Sequence, residues 1–228
     1  MKAMILAAGY GKRLLPLTAS RPKPMLKIAG KPLLQHHIEK LAAAGITELV
    51  INTSWLAEQI EAYFGDGSKF GVTISWSRES QPLETGGGIA KALPLLGEQP
   101  FLLINGDIWT DFSLSSVKNI ALTEDQLGWL LMVENPPHNP QGDFGLVNGL
   151  LCYQSKPRFT FTGVSLLRPQ LFNTYWVTDV DAPIFPLRDL LRPAIEAQRM
   201  LGAVYTGDWC DVGTPERYKQ LDTTLNCL

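Results

Sequence analysis

Hydrophobic and polar positions in the first half of the chain form two alternating patterns. Short apolar runs, typical of strands buried on both faces, occur within residues 1–8, 48–54 and 101–107. Apolar side chains three and four positions apart, which predict amphipathic helices, occur in residues 32–45 and 57–67. Residues 72–79 alternate like a strand, and residues 86–97 predict a helix entered through glycines. This order of elements predicts an α/β fold with a Rossmann-like, doubly wound and mostly parallel sheet.

The second half of the chain is less regular. Strand patterns occur in residues 127–135 and 158–169, and a turn-rich loop at residues 136–147 lies between them. Residues 186–198 predict a helix that a proline near its middle is expected to kink or divide. Residues 201–213 predict a pair of strands joined by a Gly-Asp turn. No internal repeat or linker separates the two halves.

Composition excludes several functional classes. The chain has 228 residues, a net charge of −2 and 45% hydrophobic residues, values that are ordinary for a soluble globular protein. The small net charge predicts no nucleic-acid partner, and the lack of a run of about 20 apolar residues predicts no membrane span. Three scattered cysteines without CxxC spacing predict reduced thiols and a cytoplasmic location. The three histidines form no zinc-binding pattern with them.

Candidate chemistry begins in the loop that follows the first strand. Gly9 and Gly11 allow positive φ and let backbone N–H groups approach a phosphate chain closely. Arg13 adds a cation, and Lys23 lies between two prolines that restrict its backbone. The segment matches neither the phosphate-binding P-loop nor the dinucleotide fingerprint, because the glycine and lysine spacings differ. A loop that binds a polyphosphate is therefore predicted.

The same segment carries a family resemblance. Residues 6–34, LAAGYGKRLLPLTASRPKPMLKIAGKPLL, resemble the N-terminal signature of the sugar-1-phosphate nucleotidylyltransferases, LAAGxGxRxxPLTxxxPKPxxxxxxxP. The motifs NGD at residues 105–107 and WCDVGTPE at residues 209–216 extend the resemblance over nearly the whole chain. It implies the nucleotide-diphospho-sugar transferase (GT-A-like) fold in a single domain, residues 1–228. Residues 1–112 would form the nucleotide-binding half and residues 113–228 the sugar-binding half, without a C-terminal hexapeptide-repeat domain.

Members of this family transfer a nucleotidyl group from a nucleoside triphosphate to a sugar 1-phosphate and release pyrophosphate. The resemblance implies that Arg13 and Lys23 are catalytic and stabilise charge on the phosphates. Asp107 and Asp211 each follow a predicted strand, and a pair of carboxylates suits Mg²⁺, the cofactor the family implies. The nucleotide-binding residues implied are Leu6, Ala7, Ala8, Gly9, Gly11, Arg13, Lys23, Gln81, Glu84, Thr85 and Gly86.

Substrate identity is the least determined part of the prediction. The sugar-binding residues implied are Asn105, Gly142, Asp143 and Thr162, whereas the glutamate and asparagine that many relatives use are not evident. Residues 82–97 and 142–147 most resemble N-acetylmuramate 1-phosphate uridylyltransferases of bacterial cell-wall recycling, which implies UTP and N-acetylmuramate 1-phosphate as substrates. The lactyl carboxylate of that sugar would suit a cation, for which the candidates are Lys156, Arg158 and Arg168. The alternatives are a mannose 1-phosphate guanylyltransferase and a nucleotide-sugar sensor without catalysis. We expect a monomer or a small homo-oligomer.

Overall fold

The structure is a computed structural model that describes residues 1–175 and 183–227. The strands are β1 (Ala3–Leu6), β2 (Lys27–Ile28), β3 (Lys31–Pro32), β4 (Glu48–Thr53), β5 (Thr73–Arg78), β6 (Phe101–Asn105), β7 (Ile108–Thr110), β8 (Gly128–Val133), β9 (Phe144–Val147), β10 (Leu150–Cys152), β11 (Arg158–Leu167), β12 (Met200–Tyr205) and β13 (Trp209–Asp211). The α-helices are α1 (Leu33–Ala43), α2 (Ala57–Phe64), α3 (Glu84–Leu96), α4 (Arg188–Glu196) and α5 (Pro215–Asn226).

Within the described ranges, nine strands form one sheet in the order β5-β4-β1-β6-β11-β8-β12-β10-β9. Strands β5, β4, β1 and β6 run parallel to one another, as the apolar runs separated by helices predict. Strand β11 is antiparallel to both β6 and β8, so the sheet becomes mixed in the second half of the chain. The α/β prediction is confirmed, and the one sheet includes strands from both halves of the chain.

Helices cover both faces of this sheet, which explains why the first strands have no polar side. Helices α3 and α4 pack on the face that includes Met4 of β1, and helices α1 and α2 pack on the face that includes Ile5. The apolar stripe predicted in residues 32–45 is buried as expected. It comprises Leu33, Leu34, His37, Ile38 and Leu41. Pro193 lies inside α4 and does not divide it into two helices.

The predicted pairing of two strands within residues 201–213 is wrong. Strand β12 lies in the large sheet beside β8, whereas β13 pairs with β7 in a separate two-stranded sheet. The chain crosses between the sheets at Asp208, whose carbonyl accepts hydrogen bonds from Asp111 N (3.1 Å) and Thr110 Oγ1 (2.8 Å). This crossing places β13 beside the residues that follow β6. None of the described helices is both long and apolar enough to cross a lipid bilayer.

Candidate active site

A cavity of about 400 Å³ opens beyond the carboxyl ends of β1, β4 and β6. In open α/β sheets, this is the edge at which ligands bind. The predicted residues that line the cavity are Leu6, Ala7, Ala8, Gly9, Gly11, Arg13, Lys23, Glu84, Thr85, Asn105 and Asp107. The topology thus brings the first loop, the NGD motif and the start of α3 to one place.

The two glycines of the first loop serve different purposes. Gly11 has φ 64°, and a Cβ there would lie 2.9 Å from Thr18 Cγ2. Thr18 Oγ1 also donates a hydrogen bond to the Gly11 carbonyl (2.8 Å), which fixes the turn. Gly9 does not have positive φ, and a Cβ there would meet no heavy atom within 4 Å. The space beside Gly9 is open cavity, so the lack of a side chain keeps the backbone accessible to a ligand.

Lys23 and Asp107 form an ion pair at the cavity wall. Lys23 Nζ donates a hydrogen bond to Asp107 Oδ2 at 2.8 Å, with side-chain exposures of 11% and 38%. Burial by itself would raise the pKa of Asp107, but the positive charges of Lys23 and Arg13 outweigh it and lower the pKa. Asp107 is therefore a carboxylate at neutral pH, and Lys23 is held by it within reach of the cavity.

The second predicted metal ligand, Asp211, lies next to this pair through the β7–β13 pairing. Val212 N donates to the Asp107 carbonyl at 2.7 Å, which fixes the two strands at the level of the two acids. Arg217 Nη2 donates to Asp211 Oδ2 at 2.8 Å. His138 Nε2 lies 2.9 Å from Oδ1, yet that buried oxygen accepts no hydrogen bond of good geometry. Asp211 thus has one oxygen left unsatisfied by the described residues.

Asn52 and Glu79 form the buried inner wall of the cavity. The sequence alone did not single out either residue. Asn52 Oδ1 accepts a hydrogen bond from Ala7 N (2.8 Å), and Asn52 Nδ2 donates to Glu79 Oε1 (2.7 Å). Glu79 Oε2 accepts from Leu83 N (2.9 Å), and burial raises the pKa of Glu79. This network joins the first loop to the segment that precedes α3. The available signal was the position of Asn52 near the carboxyl end of a buried strand.

The glycine run at the start of α3 provides close packing. The N–H groups of Gly86 and Gly87 donate to the Phe185 carbonyl at 2.9 and 3.1 Å. A Cβ at Gly87 would overlap the Pro183 carbonyl oxygen, and a Cβ at Gly86 would overlap the Phe185 ring. Gly86, predicted to bind nucleotide, is therefore buried beneath this segment. Gln81, with the same prediction, is exposed and does not line the cavity.

The predicted sugar-binding residues Gly142, Asp143 and Thr162 lie outside the cavity wall. Asp143 Oδ2 accepts a hydrogen bond from Phe161 N (2.8 Å), so its carboxylate holds the loop before β9 against β11. Thr162 is buried, and its hydroxyl donates to the Leu131 carbonyl (2.8 Å). Asn105, by contrast, lines the cavity at the end of β6.

The three cations considered for the lactyl carboxylate do not lie together, because Arg168 is at the opposite end of β11 from Lys156 and Arg158. Arg168 follows β11 and donates from Nη2 to the Leu122 carbonyl at 3.0 Å. Because β11 is antiparallel to β6, this places Arg168 at the edge of the sheet opposite the cavity. Arg158 lies at the other end of β11 and donates to the Asp143 carbonyl, and Lys156 is exposed.

Comparison with known proteins decides the family. Residues 2–149 match the family model described as nucleotidyl transferase. The chain is 46% identical to an N-acetylmuramate alpha-1-phosphate uridylyltransferase of Neisseria meningitidis serogroup B, over 96% of both chains. It is 30% identical to the mannose-1-phosphate guanylyltransferase catalytic subunit beta of Drosophila melanogaster, over 95% of this chain and 60% of that protein.

The chain belongs to the nucleotidyl transferase family. The resemblance seen in the motifs of the first loop is thereby confirmed.

Solved structures confirm the fold of this nucleotidyl transferase. A putative glucose-1-phosphate thymidylyltransferase from Bacillus anthracis, in complex with a sucrose, superposes with a TM-score of 0.85 at 19% identity, over 100% of this chain and 96% of that one. A UDP-glucose pyrophosphorylase complexed with UDP-glucose gives a TM-score of 0.77 at 23% identity, over 99% and 98% of the two chains.

Proposed function

We propose that this nucleotidyl transferase uses UTP and N-acetylmuramate 1-phosphate to form UDP-N-acetylmuramate and pyrophosphate, as a step in peptidoglycan recycling. The observation that carries the proposal is the 46% identity, along 96% of both chains, to an enzyme named for that reaction. The 30% identity to a mannose-1-phosphate guanylyltransferase supports the alternative substrates less well. A cytoplasmic location is proposed with it, and three free cysteines support a reducing compartment.

The chain's own residues can position and neutralise the reacting anions. A sugar 1-phosphate is already anionic, so the reaction needs no general base and depends on orientation and charge stabilisation. Arg13 is exposed on the cavity wall, where its fork of donors suits the departing pyrophosphate. Lys23 also lines the cavity and suits the phosphates that react. The open backbone at Gly9 lets the triphosphate approach closely.

Mg²⁺ is proposed as the cofactor, held by Asp107 and Asp211. The described residues contain no cluster of three or more His, Cys, Asp or Glu side chains that could hold a metal. A pair of carboxylates is enough for Mg²⁺, which retains waters and takes phosphate oxygens as its other ligands. The two carboxylates fit a Mg²⁺ ion, because Asp107 is ionised and Asp211 has a buried oxygen without a hydrogen bond. Bound there, the ion would supply positive charge to the phosphates.

Pyrophosphate release tests the proposal. The purified protein would be incubated with UTP, MgCl₂ and each of N-acetylmuramate, N-acetylglucosamine, glucose and mannose 1-phosphates, and the UDP-sugar would be identified by mass. We expect the highest rate with N-acetylmuramate 1-phosphate and loss of turnover when EDTA removes the metal. A higher rate with another sugar would contradict the proposed substrate. Binding of nucleotide sugars without pyrophosphate release from any pair would favour the sensor.

A further inference from the structure

Glu84 combines an unfavourable backbone conformation with a position on the cavity wall. It is the first residue of α3 and has φ 59°, in the left-handed region that side chains other than glycine rarely adopt. Five residues other than glycine have positive φ in the parts of the chain described here, and of these only Glu84 lines the cavity. Strained backbone at a binding site suggests that the side chain is used there.

The fold itself makes little use of the Glu84 carboxylate. The side chain is exposed, and it forms no hydrogen bond or ion pair with the described residues. A negative charge at the N-terminus of a helix is favourable, but this effect does not exceed the cost of a left-handed residue, and glycine would avoid that cost. The carboxylate is therefore free to contact a molecule in the cavity.

The chemistry of a carboxylate limits what that contact can be. An ionised glutamate only accepts hydrogen bonds, so it repels the triphosphate and requires donors. A nucleotide offers two neighbouring donors in the 2′- and 3′-hydroxyls of its ribose, and carboxylates bind ribose hydroxyls in other nucleotide-binding folds. Glu84 lies at the exposed rim, whereas Asn52 and Glu79 lie on the buried inner wall, which leaves the inner wall for the flat base.

We propose that Glu84 selects ribonucleotides by accepting hydrogen bonds from the ribose hydroxyls of the nucleoside triphosphate. This inference rests on the proposed function for the identity of the ligand. A hydrogen bond to a charged group supports a preference of about tenfold or more for UTP over 2′-deoxy-UTP. The wild-type protein is expected to show that preference both in direct binding and in turnover.

Calorimetric binding of UTP, 2′-deoxy-UTP and GTP to wild type, Glu84→Gly and Glu84→Gln is the test. The Glu84→Gly variant should bind UTP and 2′-deoxy-UTP with about equal affinity. Its melting temperature should not fall below that of the wild type, because glycine relieves the strained φ. Glu84→Gln, which retains one acceptor oxygen, should keep part of the preference. Gln198→Gly is the matched control: Gln198 has φ 57° and is exposed beyond the end of α4, so its variant should keep the full preference.

Three results would overturn the role of Glu84. The first is a wild type that binds the two nucleotides equally. The second is an equal loss of affinity for both in Glu84→Gly. The third is an altered preference between UTP and GTP with the 2′-deoxy preference intact, which would place the carboxylate at the base. If wild type keeps the ribose preference in binding but turns over no substrate pair, the proposed function fails and the role of Glu84 stands.

Discussion

The contact between the glycine run of α3 and the segment 183–187 predicts a cost for one added methyl group. In Gly87→Ala, the new Cβ would overlap the Pro183 carbonyl oxygen and lie 3.1 Å from Leu83 Cβ, so the segment must move away from the helix. The Phe185 carbonyl would then lose its hydrogen bonds from Gly86 N (2.9 Å) and Gly87 N (3.1 Å). Each such bond contributes about 0.5–1.5 kcal/mol to the free energy of unfolding.

Alanine also favours the helix over glycine by about 1 kcal/mol, which offsets part of this loss. The two lost bonds cost about 1–3 kcal/mol and the alanine returns about 1 kcal/mol, so the free energy of unfolding is expected to be lower by about 0–2 kcal/mol. The central value, about 1 kcal/mol, corresponds to a melting temperature lower by about 2–4 °C for a chain of this size. The turnover with UTP should fall as well, because Leu83 also bonds to Glu79 on the cavity wall.

Thermal melting of Gly87→Ala beside wild type and Gly9→Ala is the assay. Gly9→Ala is the stability control, since a Cβ there meets no heavy atom within 4 Å. Its melting temperature should match that of the wild type. A Gly87→Ala protein that is as stable as the wild type, or more stable, would show that the helix propensity of alanine outweighs the packing against residues 183–187. The packing role assigned to the glycine run would then be wrong.

Three further predictions concern residues that line the cavity or lie beside it. Asp107→Asn and Asp211→Asn should remain folded by circular dichroism. Each should lose turnover about a hundredfold or more, as when one group that stabilises transition-state charge is removed. A near-normal Mg²⁺-dependent rate in either variant would exclude that residue from the metal site. Arg13→Ala and Lys23→Ala should lower kcat strongly and disturb the stability of the fold much less. For the exposed Arg13, the free energy of unfolding should change by less than about 0.5 kcal/mol. A large loss of melting temperature with a normal kcat would show a structural role instead. Because burial raises the pKa of Glu79 above its ordinary 4.5, its contribution to stability is full below that pH and is lost as the pH rises through the raised pKa. Melting from pH 4 to 7 should therefore show wild type losing stability relative to Glu79→Gln, and a pH-independent difference would contradict this.

The elements of the first half were predictable because burial there follows simple periods. Strand β1 has apolar residues on both faces, since helices cover both, and α1 buries the stripe that includes Leu34 and Ile38. The cavity residues of the first loop were also predictable, because the motif fixes both their types and their spacing. Lys23 and Asp107 lie far apart in the chain and meet only because strand ends share one edge of the sheet.

The sequence could not predict features that depend on tertiary pairing. The turn at Asp208 has the composition of a hairpin turn, but its carbonyl bonds to the end of β7 and leads β13 into another sheet. The glycine run at the start of α3 has the composition of a ligand loop, and only the approach of Pro183 shows that packing demands small residues there. Arg168 belongs to the expected segment, yet strand direction places it at the far edge.

A competition between substrates tests the central claim most directly. UTP and GTP at equal concentration would be mixed with N-acetylmuramate 1-phosphate, mannose 1-phosphate, MgCl₂ and the purified protein, and the nucleotide sugars formed at early times would be quantified by mass. The product ratio gives the ratio of kcat/KM between the substrate pairs, which is the proper measure of specificity. We predict that UDP-N-acetylmuramate is the main product. An excess of GDP-mannose would contradict the account and identify a guanylyltransferase.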